Sequence, residues 1–317
     1  MKRNYSHKDH YQFGWGNGMF NFDTKDDQAY WVKYGQVSRP PMSFKQECIE
    51  AARLIGATAE KPILVFASGG IDSEVIQRCF LDADVPFESI TYNLVYEGRV
   101  VNEHDTQYVT PFVEKYGIKH RFCDIDLTEL LETRYFDSVK KYQTWMPGSI
   151  MQAEWAQKFC KEYLCVFGLV DDLLLKRAHW VGITEHKELV VLQEPSVVSV
   201  LHAVAEMSET AVVSFFCYTP EQMLSWFTQE DIRVFVNYEK SFPKISMYGL
   251  KPFIYFKHWP ELAPREKTHG YEQIDMFSTF QKCMESPFVK RAMDMVDNKK
   301  LVTYARYSDV VKMLSGQ

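Results

Sequence analysis

Ile63 to Ser73, reading Ile-Leu-Val-Phe-Ala-Ser-Gly-Gly-Ile-Asp-Ser, constrains this chain more than any other stretch. Its opening apolar run, with branched and aromatic side chains, is the pattern of a buried strand. Ser68-Gly69-Gly70 interrupts the run. Glu74 to Phe80 follows, with Val75, Ile76, Cys79 and Phe80 on one helical face. Strand, glycine turn and helix laid end to end make an anion site. The first N–H groups of the helix lack intrahelical partners and carry partial positive charge. Two glycines let the backbone curl around a phosphate, and Ser68 and Ser73 add hydroxyl donors. Asp72 is placed to hold a divalent cation against the same phosphates. No Gly-Lys-Ser/Thr follows at the spacing of a Walker loop, so this is a different phosphate-binding turn.

The strand–helix alternation continues. Ser43 opens a helix through Ile55, with Gln46 completing a capping box and Gly56 as the stop. Ser89 to Tyr96 reads as a second strand. Asn102 is the cap for a helix towards Tyr116, kinked or restarted at Pro111 and stopped by Gly117. Lys119 to Asp124 is a third strand, Ile150 to Tyr163 a helix capped by Ser149 and Gln152, and Leu164 to Gly168 a fourth strand. This order predicts an α/β fold, a parallel sheet with helices on both faces. Right-handed crossovers put the strand-to-helix loops on one edge, so the loops after strands one and four face a common crevice.

The second of those loops reads Gly168-Leu169-Val170-Asp171-Asp172-Leu173. Asp171 and Asp172 at a strand's carboxyl end suit a magnesium ion shared with Asp72, since magnesium takes one or two carboxylates plus phosphate oxygens and water. The bland alternative is an acidic first turn of the next helix.

The loop resembles the SGGxDS pyrophosphate loop of the N-type ATP pyrophosphatases, matching at Ser68, Gly69, Gly70, Asp72 and Ser73. That resemblance implies an adenine nucleotide alpha-hydrolase-like (HUP) fold. It also implies an enzyme that splits ATP between the α- and β-phosphates and transfers AMP to a substrate oxygen, with ATP and Mg2+ bound. Within the group the chain looks most like the synthetase domain of asparagine synthetase-type enzymes. Their second loop, G-E-G-A-D-E-L, has its counterpart in Gly168 to Leu173, and their R-x-K stretch in Arg265-Glu266-Lys267. By that resemblance Asp171 or Asp172 is the second metal ligand, and Lys267, with Arg265, is the cation that steadies the phosphates. Adenine is expected against the ends of strands one and two, near Phe66, Ala67, Asn93 and Leu94. The family's glutamate is replaced by Leu169. Lys2 stands where a glutaminase domain would expose a cysteine after Met1, so ammonia is expected from a separate donor, or another amine takes its place.

Three regions are expected: an aromatic, glycine-rich arm over 1–42, the ATP-binding α/β domain over 43–195, and a mostly helical C-terminal region over 196–317 completing the site. The arm shows no sustained period. Packing on the main body is favoured over a contact between copies, which would make the chain a homo-oligomer. Ser196 to Met207 reads as helix, Ala211 to Tyr218 as strand or buried helix, and Thr219-Pro220-Glu221-Gln222 as a helix start.

Of 317 residues, 46% are hydrophobic and 25% charged, ordinary values for a folded domain. A net charge of −6 argues against broad attraction to nucleic acid. The polar start, Met1 to His10, is unlike a signal peptide, and no apolar run reaches membrane-spanning length, so a cytosolic location and a small-molecule substrate are expected. The seven cysteines include no C-x-x-C pair and read as reduced core residues. Sulfur chemistry on the same fold would rely on Cys283, which lacks the usual Glu-Cys-Gly context of the sulfonucleotide reductases. A nucleotide-binding protein without turnover is the third reading. Among the scattered histidines, His269 beside Lys267 is the one to watch.

Overall fold

The computed structural model describes residues 4–7, 10–15, 30–142, 144–168, 175–177, 189–193, 211–212, 214–237, 247–265, 270–296 and 303–317. The expected helix Ser196 to Met207 lies outside the described residues.

Strands β1 (Asn4–His7), β2 (Tyr11–Trp15) and β3 (Tyr30–Lys33) form an antiparallel sheet within the arm. An irregular arm was expected there. Tyr11, Phe13 and Trp15 do alternate with Gln12 and Gly14, but five residues diluted by glycine make a weak period-2 signal. His10 ties the arm to the body: its Nδ1 accepts from the Gly35 N–H at 3.0 Å, and its Nε2 lies 3.3 Å from Met223 Sδ.

Helix α1 (Phe44–Thr58) starts with the expected capping box between Ser43 and Gln46. It continues past Gly56, where a Cβ would come within 2.6 Å of Val85 Cγ1, so that glycine serves close packing rather than termination. β4 (Ile63–Phe66) is buried along its length and leads to α2 (Ile71–Asp82). β5 (Glu88–Tyr96) turns into β6 (Arg99–Val100), and β7 (Lys119–Asp126) and β8 (Leu164–Val166) follow. After two short strands, β9 (Leu175–Arg177) and β10 (Leu189–Gln193), β11 (Ala211–Val212) joins the central sheet. The run left undecided between strand and helix is thus a two-residue strand followed by a 3₁₀ turn, Phe215–Cys217.

The spatial order is β7-β5-β4-β8-β11, all parallel, with Leu64 opposite Glu88, Val65 opposite Val166 and Cys165 opposite Ala211. β6 folds back antiparallel on the last two residues of β5. This is the expected α/β architecture. Succession runs outward from β4 in both directions, so the switch point lies between the carboxyl ends of β4 and β8, where open sheets bind ligands.

Two caps differ from expectation. Asn102 stands at the N-cap of the short helix Glu103–Thr106, as expected, but its side chain caps nothing: its Oδ1 accepts from the Leu94 N–H (2.7 Å) and its Nδ2 donates to the Tyr92 carbonyl (2.9 Å). β4 leaves β5 at Phe66, opposite Ile90, and the Asn102 amide satisfies the β5 groups left open beyond it. The helix expected from Ile150 begins at Pro147, whose fixed φ and missing N–H suit the first position, so Ser149 and Gln152 form no capping box.

The C-terminal region is mostly helical among the described residues, with β12 (Thr303–Arg306) pairing β10. Thr219 caps the helix Pro220–Phe227 as expected, accepting from the Gln222 N–H. In the helix Met247–His258 and the residue after it, Lys251, Tyr255 and Trp259 recur at intervals of four, on one face. Tyr255 and Trp259 are buried against Phe44, with Phe44 and Tyr255 rings 6.3 Å apart, so α1 holds this helix in place.

Candidate functional site

The turn after β4 has the geometry of an open anion site. Gly70 caps α2 without any side-chain hydrogen bond, so the first helical amides meet no capping group. Gly69 adopts φ +86° and its missing Cβ leaves room for the Asp105 carbonyl oxygen, which a side chain would meet at 2.0 Å. Only glycine satisfies both demands. Ser68 Oγ accepts from the Gly70 N–H at 3.2 Å and lies 3.4 Å from Ser73 Oγ, which itself donates to the Gly70 carbonyl at 2.9 Å.

Across the switch point, Gly168 abuts α2: a Cβ there would lie 2.9 Å from Ile76 Cδ1 and 3.8 Å from Asp72 Cβ. The start of the second loop therefore faces Asp72. Asp171 and Asp172 themselves, with Leu169, lie outside the described residues, as do Lys267 and His269.

A cleft of about 410 Å³ opens from the turn. Ser68, Gly70 and Asp72 line it with Lys251 and Arg265, as do Tyr92, Leu94 and Gln152. Lys251 is a residue the sequence did not single out. It is 3% exposed, and its Nζ lies 2.5 Å from Asp72 Oδ2. Tyr255 donates to Asp72 Oδ1 at 2.8 Å; burial and then the Asp72 charge push its phenol well up, so it stays a donor. In the sequence Lys251 precedes Pro252 in a proline-broken segment, where a helical face bearing Tyr255 and Trp259 was not legible.

Arg265 borders the cleft and packs against the turn. Its Nη1 donates to the Gly69 carbonyl at 2.5 Å, its Nη2 to Glu74, and its guanidinium lies 4.4 Å from the centre of the Tyr108 ring. Glu74 also holds Arg78 at 2.6 Å, and Arg78 reaches Glu261 at 3.1 Å.

The expected adenine contacts fall in different places. Leu94 lines the cleft. Ala67 is buried, with its carbonyl accepting from Thr91. Phe66 stacks on Phe167 at 4.4 Å in the core, and Asn93 donates to Asp124 at 2.9 Å. In the cleft lining Gln152 donates to the Tyr92 hydroxyl at 3.3 Å, and burial raises the Tyr92 and Tyr271 phenols, which remain protonated.

Among the described residues no three His, Cys, Asp or Glu side chains cluster as a metal site. Asp72, a quarter exposed, lines the cleft with one oxygen on Lys251 and the other on Tyr255. A magnesium ion would have to use the lone pairs those contacts leave and complete its shell with phosphate oxygens. No helix among the described residues is long and apolar enough to cross a membrane.

No protein-family model matches the chain, and no curated protein matches it in sequence. Among solved structures it is similar to NMN synthetase from Francisella tularensis, over 71% of this chain and 98% of that one, at 15% identity and a TM-score of 0.30. A likeness this loose carries neither register nor site residues across.

Proposed function

We propose that the chain is an ATP-dependent, AMP-forming ligase. The observation that carries this reading is the uncapped start of α2, held open by Gly69 beside a buried lysine at the switch point of a parallel sheet. The loop amides and the Ser68 and Ser73 hydroxyls take the β- and γ-phosphates, and the α-phosphorus faces the cleft. A carboxylate or amide oxygen of the substrate attacks that phosphorus. The bond from the α-phosphorus to the bridging oxygen breaks, and pyrophosphate leaves with the bond's electrons. An amine or ammonia then attacks the activated carbon, AMP departs with the substrate oxygen, and the nitrogen loses a proton.

Lys251 supplies positive charge beside the phosphates as the leaving group gains negative charge. Lys267 belongs to the same role, and Asp171 or Asp172 joins Asp72 as metal ligand. A magnesium ion, where those carboxylates hold one, would supply charge neutralisation for the leaving pyrophosphate. The amine donor is a separate molecule.

The test is product identity. With ATP, magnesium and candidate carboxylates or amides, the protein should release pyrophosphate and AMP. Release of only ADP and phosphate would overturn the assignment.

A further inference from the structure

We propose that Arg265 is a positioning residue that sets the backbone of the phosphate turn through Gly69, rather than a cation that contacts phosphate. This rests on the reading of the turn as the site of the β- and γ-phosphates.

The Gly69 carbonyl and the Gly70 N–H belong to one planar trans peptide, so they point in opposite directions. Arg265, which also borders the cleft, spends its Nη1 on that carbonyl at 2.5 Å. The Gly70 N–H is thereby directed away from Arg265, towards Ser68 Oγ at 3.2 Å. The Asp105 carbonyl backs the same residue, at the place a Gly69 side chain would occupy. The turn is clamped on both sides.

The guanidinium itself is fixed by four contacts. Its Nε donates to the Ala263 carbonyl at 3.3 Å, its Nη2 to Glu74, its Nη1 to Gly69, and its plane rests on Tyr108. The side chain is 6% exposed. Behind it the charges alternate: Glu74 and Arg78 on α2 interleave with Glu261 and Arg265 of the segment after Trp259. Each buried cation therefore faces a carboxylate, and the segment is strapped to the helix that presents the anion site. A planar fork reaches these partners together. A lysine, with one compact ammonium, reaches only one or two.

The two roles give opposite results for Arg265→Lys. The affinities of ATP and AMP, compared by calorimetry in wild type, Arg265→Lys and Arg265→Gln, separate them, because AMP lacks the phosphates the turn grips. The expected result is that both variants lose ATP affinity by about tenfold or more, the scale of a charge-assisted hydrogen bond, with AMP affinity unchanged. Tyr108→Ala, which keeps every charge, should weaken ATP about threefold or more while Tyr108→Phe does not; this pair keeps the test available if the arginine variants fold poorly. ATP affinity restored by lysine would show direct charge contact and overturn the proposal. So would an equal fall for ATP and AMP, or no fall in any variant. A wild-type protein that binds ATP no better than AMP would instead overturn the phosphate assignment on which it depends.

Discussion

Lys251 Nζ lies 2.5 Å from Asp72 Oδ2, joining the helix Met247–His258 to the second residue of the helix that follows the glycine turn. The pair is asymmetric: the lysine side chain is 4% exposed and the aspartate 24%. A buried ammonium whose carboxylate partner reaches solvent is poised to share its charge with an incoming anion. Lys251→Met should therefore lower kcat for pyrophosphate release by about a hundredfold, the scale seen when a single transition-state donor is removed. Thermal unfolding should shift little, because Asp72 keeps the Tyr255 hydroxyl and water. A variant with unchanged kcat would remove Lys251 from the chemistry.

Gly69→Ala tests the turn itself. Left-handed backbone costs a residue with a side chain about 1–2 kcal/mol, and here a Cβ also meets the Asp105 carbonyl at 2.0 Å. ATP binding should be lost. Gly98, at φ +74°, has nothing within 4 Å of its Cβ position, so Gly98→Ala should cost only about 1–2 kcal/mol of stability and leave ATP binding as it was. Isothermal titration of both variants checks the contrast. Equal ATP affinities would mean that the turn does not hold the nucleotide.

The fold was legible because the strand-to-helix rhythm from Ser43 to Gly168 is regular, and the turn from Ser68 to Ser73 because its glycines break a buried strand just before a helix. What was not legible depends on partners far apart in sequence. Nothing local says that the Asn102 amide will complete an open edge of β5 instead of capping a helix. Nor does any local pattern say that Gly56 makes room for Val85. Lys251 was missed for the same reason, since its contact with Asp72 spans 179 residues. Arg265 was named by resemblance as a phosphate cation, but its grip on the Gly69 carbonyl emerges only once the turn is folded.

His120 gives the stability a pH dependence. Burial lowers its pKa from 6.5 to about 4, and its Nδ1 lies 2.6 Å from the Ser89 hydroxyl. The folded state thus keeps the ring neutral where the unfolded chain protonates it. Between pH 6.5 and about 4 the unfolded state binds more protons, so stability falls as pH falls through that window and is fully present above it. Melting temperatures measured from pH 8 to 4 should show this loss, and His120→Gln should flatten it. An unchanged profile in the variant would assign the loss to other groups.

Cys283 separates ligase from sulfur chemistry. It is 4% exposed in a core with Leu130, Tyr135 and Val289, and burial raises its thiol, so it holds little thiolate at neutral pH. Cys283→Ser should leave pyrophosphate release intact and lower stability by about 1–2 kcal/mol through the buried hydroxyl. Loss of turnover in a folded variant would favour the reductase-like reading.

The central claim is that the turn from Ser68 to Ser73 grips the outer phosphates of ATP. A crystal structure with magnesium and α,β-methylene-ATP, which cannot lose pyrophosphate, tests it directly. The β- and γ-phosphate oxygens should lie about 3 Å from the amides at the start of α2, with the α-phosphorus turned towards Tyr92 and Gln152. A triphosphate bound elsewhere, with those amides hydrogen-bonded only to water, would contradict it.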